Sequence, residues 1–161
     1  MVLGDSVALG AKSNLENYGY FVDAKGSRNM TDALNLLAGY RAANGGNLPY
    51  TIVISLITNK TTVNASLLQN IVNTAGANHK FIFVTGYCGN FTCLAYTDGT
   101  PSNRTAQNNA LKSFAASHAN VKVADWAAYA APNIGTYTYS DHTHLTPAGR
   151  TAFANLIRSS I

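Results

Sequence analysis

The sequence predicts an α/β fold, a three-layer α/β/α sandwich with a five-stranded parallel sheet between two layers of helices. Apolar stretches with the length of strands alternate along the chain with longer segments of helical spacing. The stretch 51–57 is an almost continuous apolar run rich in β-branched residues, which is typical of a strand covered on both faces. The 161 residues suffice for a sizeable core, so we expect residues 1–161 to form a single domain.

Strands are predicted from apolar runs, and helices from apolar residues that recur at helical spacing. The predicted strands are 1–3, 20–24, 51–57, 81–84 and 121–124. The predicted helices are 5–18, 30–41, 64–77, 102–119 and 147–161, and a long loop runs from about 85 to 101. In the first helix we expect Leu9 and Leu15 to point inward and Gly19 to end the helix. The inward stripe expected for the second helix is Ala33, Leu34, Leu37 and Ala38.

Composition and charge exclude some classes of function. Charged residues make up only 11% of the chain, and 11 Lys and Arg against 7 Asp and Glu give a net charge of +4. There is no basic run and no interleaving of basic and aromatic residues, which argues against nucleic-acid binding. No Cys/His cluster has zinc spacing, and no apolar run has transmembrane length. Few charges and many neutral polar residues suit an exported protein that faces carbohydrate.

The tripeptide Gly4-Asp5-Ser6 lies between the first predicted strand and the first predicted helix. A serine at such a turn is held at the edge of the sheet, near the partial positive end of a helix. This position suits a nucleophile whose reaction product is an oxyanion. Asp-Ser is also an ordinary pair at a helix N-terminus, so the tripeptide by itself leaves a purely structural role open.

A second block, from Asp141 to Leu145, precedes the last predicted helix. A nucleophilic serine needs a base to accept its proton, and that base needs a carboxylate to orient it. Asp141 and His144 are three residues apart, so one loop can carry both groups. His142 is the neighbouring alternative for the base. Asp125, which follows the fifth strand, is the alternative for the orienting acid, or else an acid of structural importance only.

Four polar or small residues fall within three residues after the ends of predicted strands: Ser6, Gly26, Asn59 and Asp125. Ligands of parallel sheets bind beyond the carboxyl ends of the strands. We therefore expect these residues to border one shared site.

Gly-Asp-Ser near the start and Asp-x-x-His-Leu before the last helix resemble the motifs of the SGNH (GDSL-type) hydrolase superfamily. The resemblance implies a flavodoxin-like fold, with Ser6 as nucleophile, His144 as base and Asp141 as the acid that orients the base. It also implies an oxyanion hole formed by the backbone N–H groups of Ser6 and Gly26 and by the side-chain amide of Asn59. It calls for no metal and no organic cofactor.

The sequence departs from the superfamily at one position. Ile57 stands where glycine is usual in the block Gly-x-Asn, and we expect it to narrow or reshape the acyl pocket. His144 is preferred over His142 because only His144 matches Asp-x-x-His-Leu. Tyr137 and Tyr139 either line the site or simply pack beside it.

Within the superfamily, the chain most resembles the extracytoplasmic SGNH domains of membrane-bound O-acyltransferases, such as peptidoglycan O-acetyltransferases. The shared features are Gly-Asp-Ser-Val-x-Leu-Gly, Asp-Ala-Lys followed by Arg28, a Thr-Asn pair, and Asp125-Trp126. The resemblance implies acetyl transfer from an ester donor to a glycan hydroxyl at a bacterial cell surface. We expect a monomer, excised from a longer secreted or membrane-anchored parent.

Two other functions compete with acyl transfer. One is that of a secreted carbohydrate O-acetylesterase that uses the same residues. The other is that of an inactive carbohydrate-binding module on the same fold, for which Ile57 would be a sign of a decayed site.

Two further features concern the environment of the protein. Cys88 and Cys93 are close enough in sequence to form a disulfide in an oxidising compartment, which we favour over two reduced thiols. The triplet Asn59-Lys60-Thr61 is a formal N-glycosylation acceptor. An oxyanion donor must be unmodified, so this triplet favours a bacterial origin or a site that the glycosylation machinery does not reach.

Overall fold

A computed structural model describes residues 1–59, 62–76, 78–87 and 101–161, with the backbone alone for 101–103. Five parallel strands in this part of the chain form one sheet in the order β2-β1-β3-β4-β5. They are β1 (Val2–Gly4), β2 (Val22–Ala24), β3 (Thr51–Ser55), β4 (Lys80–Val84) and β5 (Val121–Ala124). The predicted α/β class with a five-stranded parallel sheet is confirmed.

Helices occupy most of the connections between the strands. In chain order they are α1 (Ser6–Gly10), α2 (Lys12–Glu16), α3 (Asp32–Ala43), α4 (Ala65–Ala75), α5 (Pro101–Ala116), α6 (Trp126–Ala130), α7 (Ile134–Tyr137) and α8 (Pro147–Ser159). A single 3₁₀ turn, Ala131–Asn133, joins α6 to α7. In the part of the chain that the structure describes, no helix is both long and apolar enough to cross a membrane.

Alternating side chains of the strands build two separate cores, one on each face of the sheet. On one face, Leu3, Ile54 and Phe83 belong to a buried cluster that also contains residues of α3, α4 and α5. On the other face, Val53 and Ile82 belong to a cluster with residues of α1, α2, α6 and α8. This alternation follows from the two-residue period of a strand and gives the predicted helix–sheet–helix sandwich.

The first predicted helix is broken in two. The backbone N–H of Ala11 bonds to the carbonyl oxygens of both Val7 and Ala8, which tightens the chain between α1 and α2. The buried residues Val7, Ala11 and Leu15 still follow one another at helical spacing, whereas Leu9 is 44% exposed, so its predicted inward position is wrong. Gly19 follows α2 with φ at +84°, a conformation that favours glycine.

In α3 the inward stripe is shifted from the one predicted. Ala33 and Leu37 are buried as predicted and Leu34 is partly buried, but Ala38 is exposed. The partly buried Tyr40 instead continues the stripe, because it follows Ala33 and Leu37 at the spacing of helical turns.

The segment after β5 contains short helices that periodicity did not predict. Trp126, at the start of α6, is 2% exposed and packs edge-on against Phe153 of α8. Helices α7 and α8 approach so closely that a Cβ added to Gly149 would lie 1.8 Å from the carbonyl oxygen of Tyr137. Only glycine permits this contact, which fixes both ends of the loop 138–146.

The strand order places a topological switch point between β1 and β3. The chain leaves β1 toward β2 on one side and later returns to β3 on the other side. A crevice opens at the carboxyl ends of the strands at such a point. The residues that follow β1 and β3 are those on which the sequence motifs fall.

Candidate active site

Ser6 is placed by the residue before it. The backbone N–H of Asp5 donates to the carbonyl oxygen of Ser55 on β3 at 3.0 Å, which continues the sheet up to the turn. The carboxylate of Asp5 then accepts the N–H of Val7 at 2.9 Å and caps α1. Ser6 is therefore the first residue of α1, directly beyond the end of β1.

The structure brings Ser6, His144 and Asp141 together. The Oγ of Ser6 lies 3.1 Å from the Nε2 of His144, although the two residues are 138 positions apart in sequence. The Nδ1 of His144 lies 2.5 Å from one carboxylate oxygen of Asp141. Each nitrogen of the imidazole thus has one partner, the arrangement that lets a base accept a proton from a serine.

Asp141 is held in place by its own loop. Its other carboxylate oxygen accepts the backbone N–H of Thr143 at 2.9 Å and that of His144 at 3.0 Å. Burial raises the pKa of Asp141, but the bonds from His144 and Thr143 and the charge of His144 outweigh it, so the pKa lies below its ordinary value. Asp141 consequently stays ionised at neutral pH beside His144.

Contacts on both sides of His144 hold the loop. The backbone N–H of Tyr139 donates to the carbonyl oxygen of His144 at 2.9 Å, and Thr138 pairs with Leu145 in an antiparallel bridge. Leu145 is 3% exposed and anchors the loop in the core. These contacts direct the side chain of His144 back across the sheet edge to Ser6.

A cleft of about 200 Å³ opens beside the Oγ of Ser6. The described residues that line it are Ser6, Gly26, Ser27, Thr58, Asn59, Asp141, Thr143 and His144. A Cβ added to Gly26 would meet no atom within 4 Å among the described residues, so a ligand can approach the backbone there. Asn59 donates from its side-chain amide to the carbonyl oxygen of Arg28 at 2.7 Å, which leaves the second amide hydrogen free of that bond.

The buried side chains of Asp5 and Arg104 hold the backbone N–H and carbonyl groups of Thr58, one residue before Asn59. The N–H of Thr58 donates to the carboxylate of Asp5 at 3.1 Å, and the carbonyl oxygen of Thr58 accepts from Arg104 at 2.8 Å. Asp5 is fully buried and Arg104 is 3% exposed. The segment that carries Asn59 is thereby tied to the residue that precedes Ser6.

Burial shifts the pKa values of both Asp5 and Arg104, and each group partly opposes the shift of the other. Burial raises the pKa of Asp5, while its bonds to Thr58 and Val7 and the charge of Arg104 act in the opposite direction. Burial lowers the pKa of Arg104 to about 10, against the effect of Asp5. Arg104 therefore remains protonated at neutral pH.

The alternative site residues have other partners. One carboxylate oxygen of Asp125 accepts from Thr85 at 2.8 Å, and the other is paired with Lys112, so Asp125 is not the acid bound to His144. His142 has a φ of +54°, and its buried Nδ1 has no hydrogen-bond partner among the described residues. The imidazole that contacts Ser6 is therefore that of His144.

The two tyrosines considered for the site lie beside it. Tyr137 packs against Trp126 and Tyr129. Tyr139 is 49% exposed. Neither residue is among those that line the cleft.

Ile57 lines a small cavity of about 10 Å³ that shares Thr58 and Thr143 with the cleft, so its expected effect on the acyl pocket stays a prediction. It is 2% exposed, belongs to the core on the α3 side of the sheet, and is not among the residues that line the cleft. A Cβ added to Gly86 would lie 2.8 Å from the Cγ2 of Ile57. The bulk of Ile57 is thus accommodated by the absence of a side chain at Gly86, on the neighbouring strand end.

The contribution of Arg104 was missed by the sequence interpretation. Its signal was helical spacing: Arg104 precedes the buried residues Gln107, Asn108 and Leu111 by one and two turns of α5. Cys88 and Cys93 lie outside the described residues, as do Lys60 and Thr61 of the glycosylation triplet, so the disulfide stays a prediction.

A larger groove, of about 500 Å³, lies at the opposite ends of the strands. Its lining includes Met1, Phe21, Tyr40 and Leu48, next to the starts of β1 and β3. It lacks a nucleophile–base pair, at least among the described residues. We therefore assign the site by its chemistry, to the smaller cleft at Ser6.

Comparison of the sequence with protein-family models and with curated proteins finds no match. Comparison with solved structures finds similar folds over nearly the whole chain. The C-terminal catalytic domain of peptidoglycan O-acetyltransferase A from Streptococcus pneumoniae, solved with a methylsulfonyl adduct, superposes with a TM-score of 0.83. It shares 24% identity, and the alignment covers 99% of this chain and 90% of that one.

More distant structures include hydrolases. A family 3 carbohydrate esterase from Clostridium thermocellum has a TM-score of 0.69 and 13% identity, with coverage of 99% of this chain and 92% of that one. A GDSL-like lipase from Bacteroides thetaiotaomicron has a TM-score of 0.71 and 16% identity, with coverage of 98% and 84%. With its flavodoxin-like strand order and these structural relatives, the protein has the fold of the SGNH (GDSL-type) hydrolases.

Proposed function

We propose that the protein is a serine-dependent O-acyltransferase that moves small acyl groups, chiefly acetyl, onto hydroxyl groups of cell-envelope glycans. The observation that carries this proposal is the continuous series of contacts from the Oγ of Ser6 through His144 to Asp141. These contacts border a cleft that also presents Gly26 and Asn59. These contacts support Ser6 as the nucleophile, His144 as the base and Asp141 as the acid that orients the base.

The first half of the reaction forms an acyl-enzyme. The Oγ of Ser6 attacks the carbonyl carbon of the donor ester while the Nε2 of His144 accepts the proton of Ser6. The carbonyl oxygen becomes an oxyanion, and Asp141 stabilises the protonated imidazole. The C–O bond of the donor then breaks, and the departing alkoxide takes the proton from His144.

Three donors would stabilise the oxyanion: the backbone N–H groups of Ser6 and Gly26 and the side-chain amide of Asn59. Such preorganised donors act most strongly in the transition state. In the second half, an acceptor hydroxyl attacks the acyl carbon and gives its proton to His144. Ser6 then leaves with that proton, and a new ester remains on the acceptor.

The size of the cleft and the structural relatives support the substrate class. The described lining encloses about 200 Å³, less than the roughly 300–1,000 Å³ typical of sites for drug-sized ligands. This favours an acetyl group over a long acyl chain. The likeness to the catalytic domain of a peptidoglycan O-acetyltransferase supports a peptidoglycan acceptor and a place at the bacterial cell surface.

Product analysis with a small activated acetyl ester tests the proposal directly. With soluble peptidoglycan fragments present, we expect acetylated glycan to accumulate, and without them free acetate. Mass spectrometry of the glycan and an acetate assay measure the two outcomes. A chain that releases no acyl group from any small ester, with or without acceptor, would contradict the proposal.

The alternative function is that of a carbohydrate O-acetylesterase, which the likeness to a family 3 carbohydrate esterase supports. The same residues would form the acyl-enzyme, and water would replace the glycan hydroxyl. Acetate release that is unaffected by any glycan acceptor, together with deacetylation of acetylated sugars, would favour the esterase.

Asn59→Ala separates an active enzyme from an inactive carbohydrate-binding module. If Asn59 donates to the oxyanion, its loss should lower kcat by roughly 10²–10³-fold with little change in KM, because the bond matters chiefly in the transition state. Steady-state kinetics with the acetyl ester measures this. A kcat within about threefold of the parent would remove Asn59 from the mechanism.

A further inference from the structure

The side chain of Arg28 folds back and forms hydrogen bonds with Asp23 of β2, the strand that precedes it. Its Nη1 donates to the carbonyl oxygen of Asp23 at 3.0 Å and to the carboxylate of Asp23 at 2.8 Å. The other carboxylate oxygen of Asp23 accepts the hydroxyl of Tyr40 at 2.9 Å. Arg28 and Asp23 are both only partly exposed, with side chains 17% and 22% accessible.

Asp23 is a firm anchor because it belongs to the sheet. It lies in β2, in register with Leu3 of β1, the strand that leads to Ser6. Burial raises the pKa of Asp23, but the bonds from Arg28 and Tyr40 and the charge of Arg28 outweigh it, so the pKa lies below its ordinary value. The ion pair is therefore intact at neutral pH.

The backbone of Arg28 in turn contacts Asn59. Its carbonyl oxygen accepts one hydrogen of the Asn59 side-chain amide at 2.7 Å. Because the amide is also attached covalently to the backbone through Cβ, this bond restricts the rotation of the amide plane and with it the direction of the second hydrogen. The position of the Arg28 carbonyl thus decides where the second hydrogen points.

We infer that Arg28 is a positioning residue for the oxyanion hole: its ion pair with Asp23 holds the carbonyl oxygen that orients the amide of Asn59. This inference rests on the proposed function for its effect on catalysis. Arg28 itself does not line the cleft and acts through Asn59.

The test is a double-mutant cycle between Arg28→Ala and Asn59→Ala, with the small acetyl ester as substrate. Arg28→Ala keeps the backbone carbonyl but removes its anchor. We expect it to lower kcat about tenfold with KM nearly unchanged, less than the full loss of the donor. In the Asn59→Ala background the same substitution should cost less than about threefold, since the residue it positions is gone.

Three variants make the cycle specific. Arg41→Ala is the matched control, because Arg41 lies in α3 and donates to the carbonyl oxygen of Thr74, outside the cleft; it should leave kcat unchanged. Arg28→Lys, which keeps the charge, should recover part of the loss. Asp23→Asn weakens the same anchor without altering residue 28, so it should show the same coupling to Asn59 if Arg28→Ala fails to fold.

A second measurement does not depend on activity. The side-chain amide signals of Asn59 in a nitrogen–proton NMR spectrum can be assigned by their absence in Asn59→Ala. In Arg28→Ala the bond to the carbonyl is lost, so we expect the chemical shifts of the two amide protons to converge. In Arg41→Ala both shifts should stay unchanged.

Two results would overturn the inference. One is an equal fall in kcat on Arg28→Ala in both backgrounds, and the other is an unchanged Asn59 amide signal in Arg28→Ala. An inactive parent would contradict the proposed function instead, and the amide signal would still decide whether Arg28 positions Asn59.

Discussion

Ser6→Ala is expected to abolish turnover of a small activated acetyl ester while the fold survives. In triad enzymes the loss of the nucleophile lowers kcat by roughly 10⁶-fold, because no other group forms the acyl-enzyme. Ser6 is only partly buried and begins α1, so the loss of its oxygen leaves little cavity. Initial rates measure the activity, and the melting temperature reports the fold.

Ser13→Ala provides the matched control for this variant. Ser13 is an exposed serine in α2, one helix further along, and its replacement should change neither the rate nor the melting temperature. Methanesulfonyl fluoride adds an independent readout, since attack by a serine oxygen forms an O–S bond and releases fluoride. Intact-protein mass spectrometry should find one methylsulfonyl group on the parent and on Ser13→Ala, and none on Ser6→Ala. A rate in Ser6→Ala within about tenfold of the parent would rule out the nucleophile, given the loss expected.

Arg104→Met is expected to lower the free energy of unfolding by about 1.5–3 kcal/mol, the usual contribution of a hydrogen bond made by a charged group. The bond that is lost is the one from Arg104 to the carbonyl oxygen of Thr58. The substitution preserves much of the side-chain volume, but it also removes the positive charge that favours the ionised form of the fully buried Asp5. Urea denaturation of parent and variant measures the difference.

The destabilisation by Arg104→Met should depend on pH. Arg104 opposes the burial that raises the pKa of Asp5 above 3.8, so its removal should raise that pKa further. A carboxyl whose pKa is higher in the folded state stabilises the fold when protonated, and that stabilisation is lost as the pH rises through the folded-state pKa. The gap in unfolding free energy between parent and variant should therefore be wider at about pH 8 than at about pH 5.

Arg41→Met is the control for Arg104→Met, because it also removes the positive charge of an arginine that is partly buried. Arg41 donates to a carbonyl oxygen, that of Thr74, and its loss should cost about 1 kcal/mol or less at either pH. A cost for Arg104→Met that is equally small, or that does not change with pH, would contradict the role assigned to Arg104.

The class of the fold and the location of the site could be predicted from the sequence alone. Parallel strands place all their carboxyl ends at one edge of the sheet. For this reason four residues that follow strands were expected to border one site before any contact was known: Ser6, Gly26, Asn59 and Asp125. The first three line the cleft, and Asp125 does not. The spacing of Asp141 and His144 likewise indicated a single loop with both groups, because a carboxylate three residues before a histidine is within its reach.

Local periodicity failed where the chain departs from regular repeats. A helical pattern continues through residue 11, yet the helix is interrupted at Ala11, and Leu9 lies off the buried face that contains Val7 and Leu15. The short helices after β5 contain too few turns to show a period, and the buried Trp126 was the one strong apolar signal among them.

The tertiary structure alone decided which polar groups pair in the interior. Arg104 and Thr58 are 46 positions apart, and Asn59 and Arg28 are 31 apart. No repeat links such residues along the chain, because a hydrogen bond depends on where two backbones meet in space. The same holds for Ile57, whose bulk fits only because Gly86 lies opposite it on the next strand end. The sequence thus determined the chemical groups at the site, and the packing of distant segments decided which neighbours hold them in place.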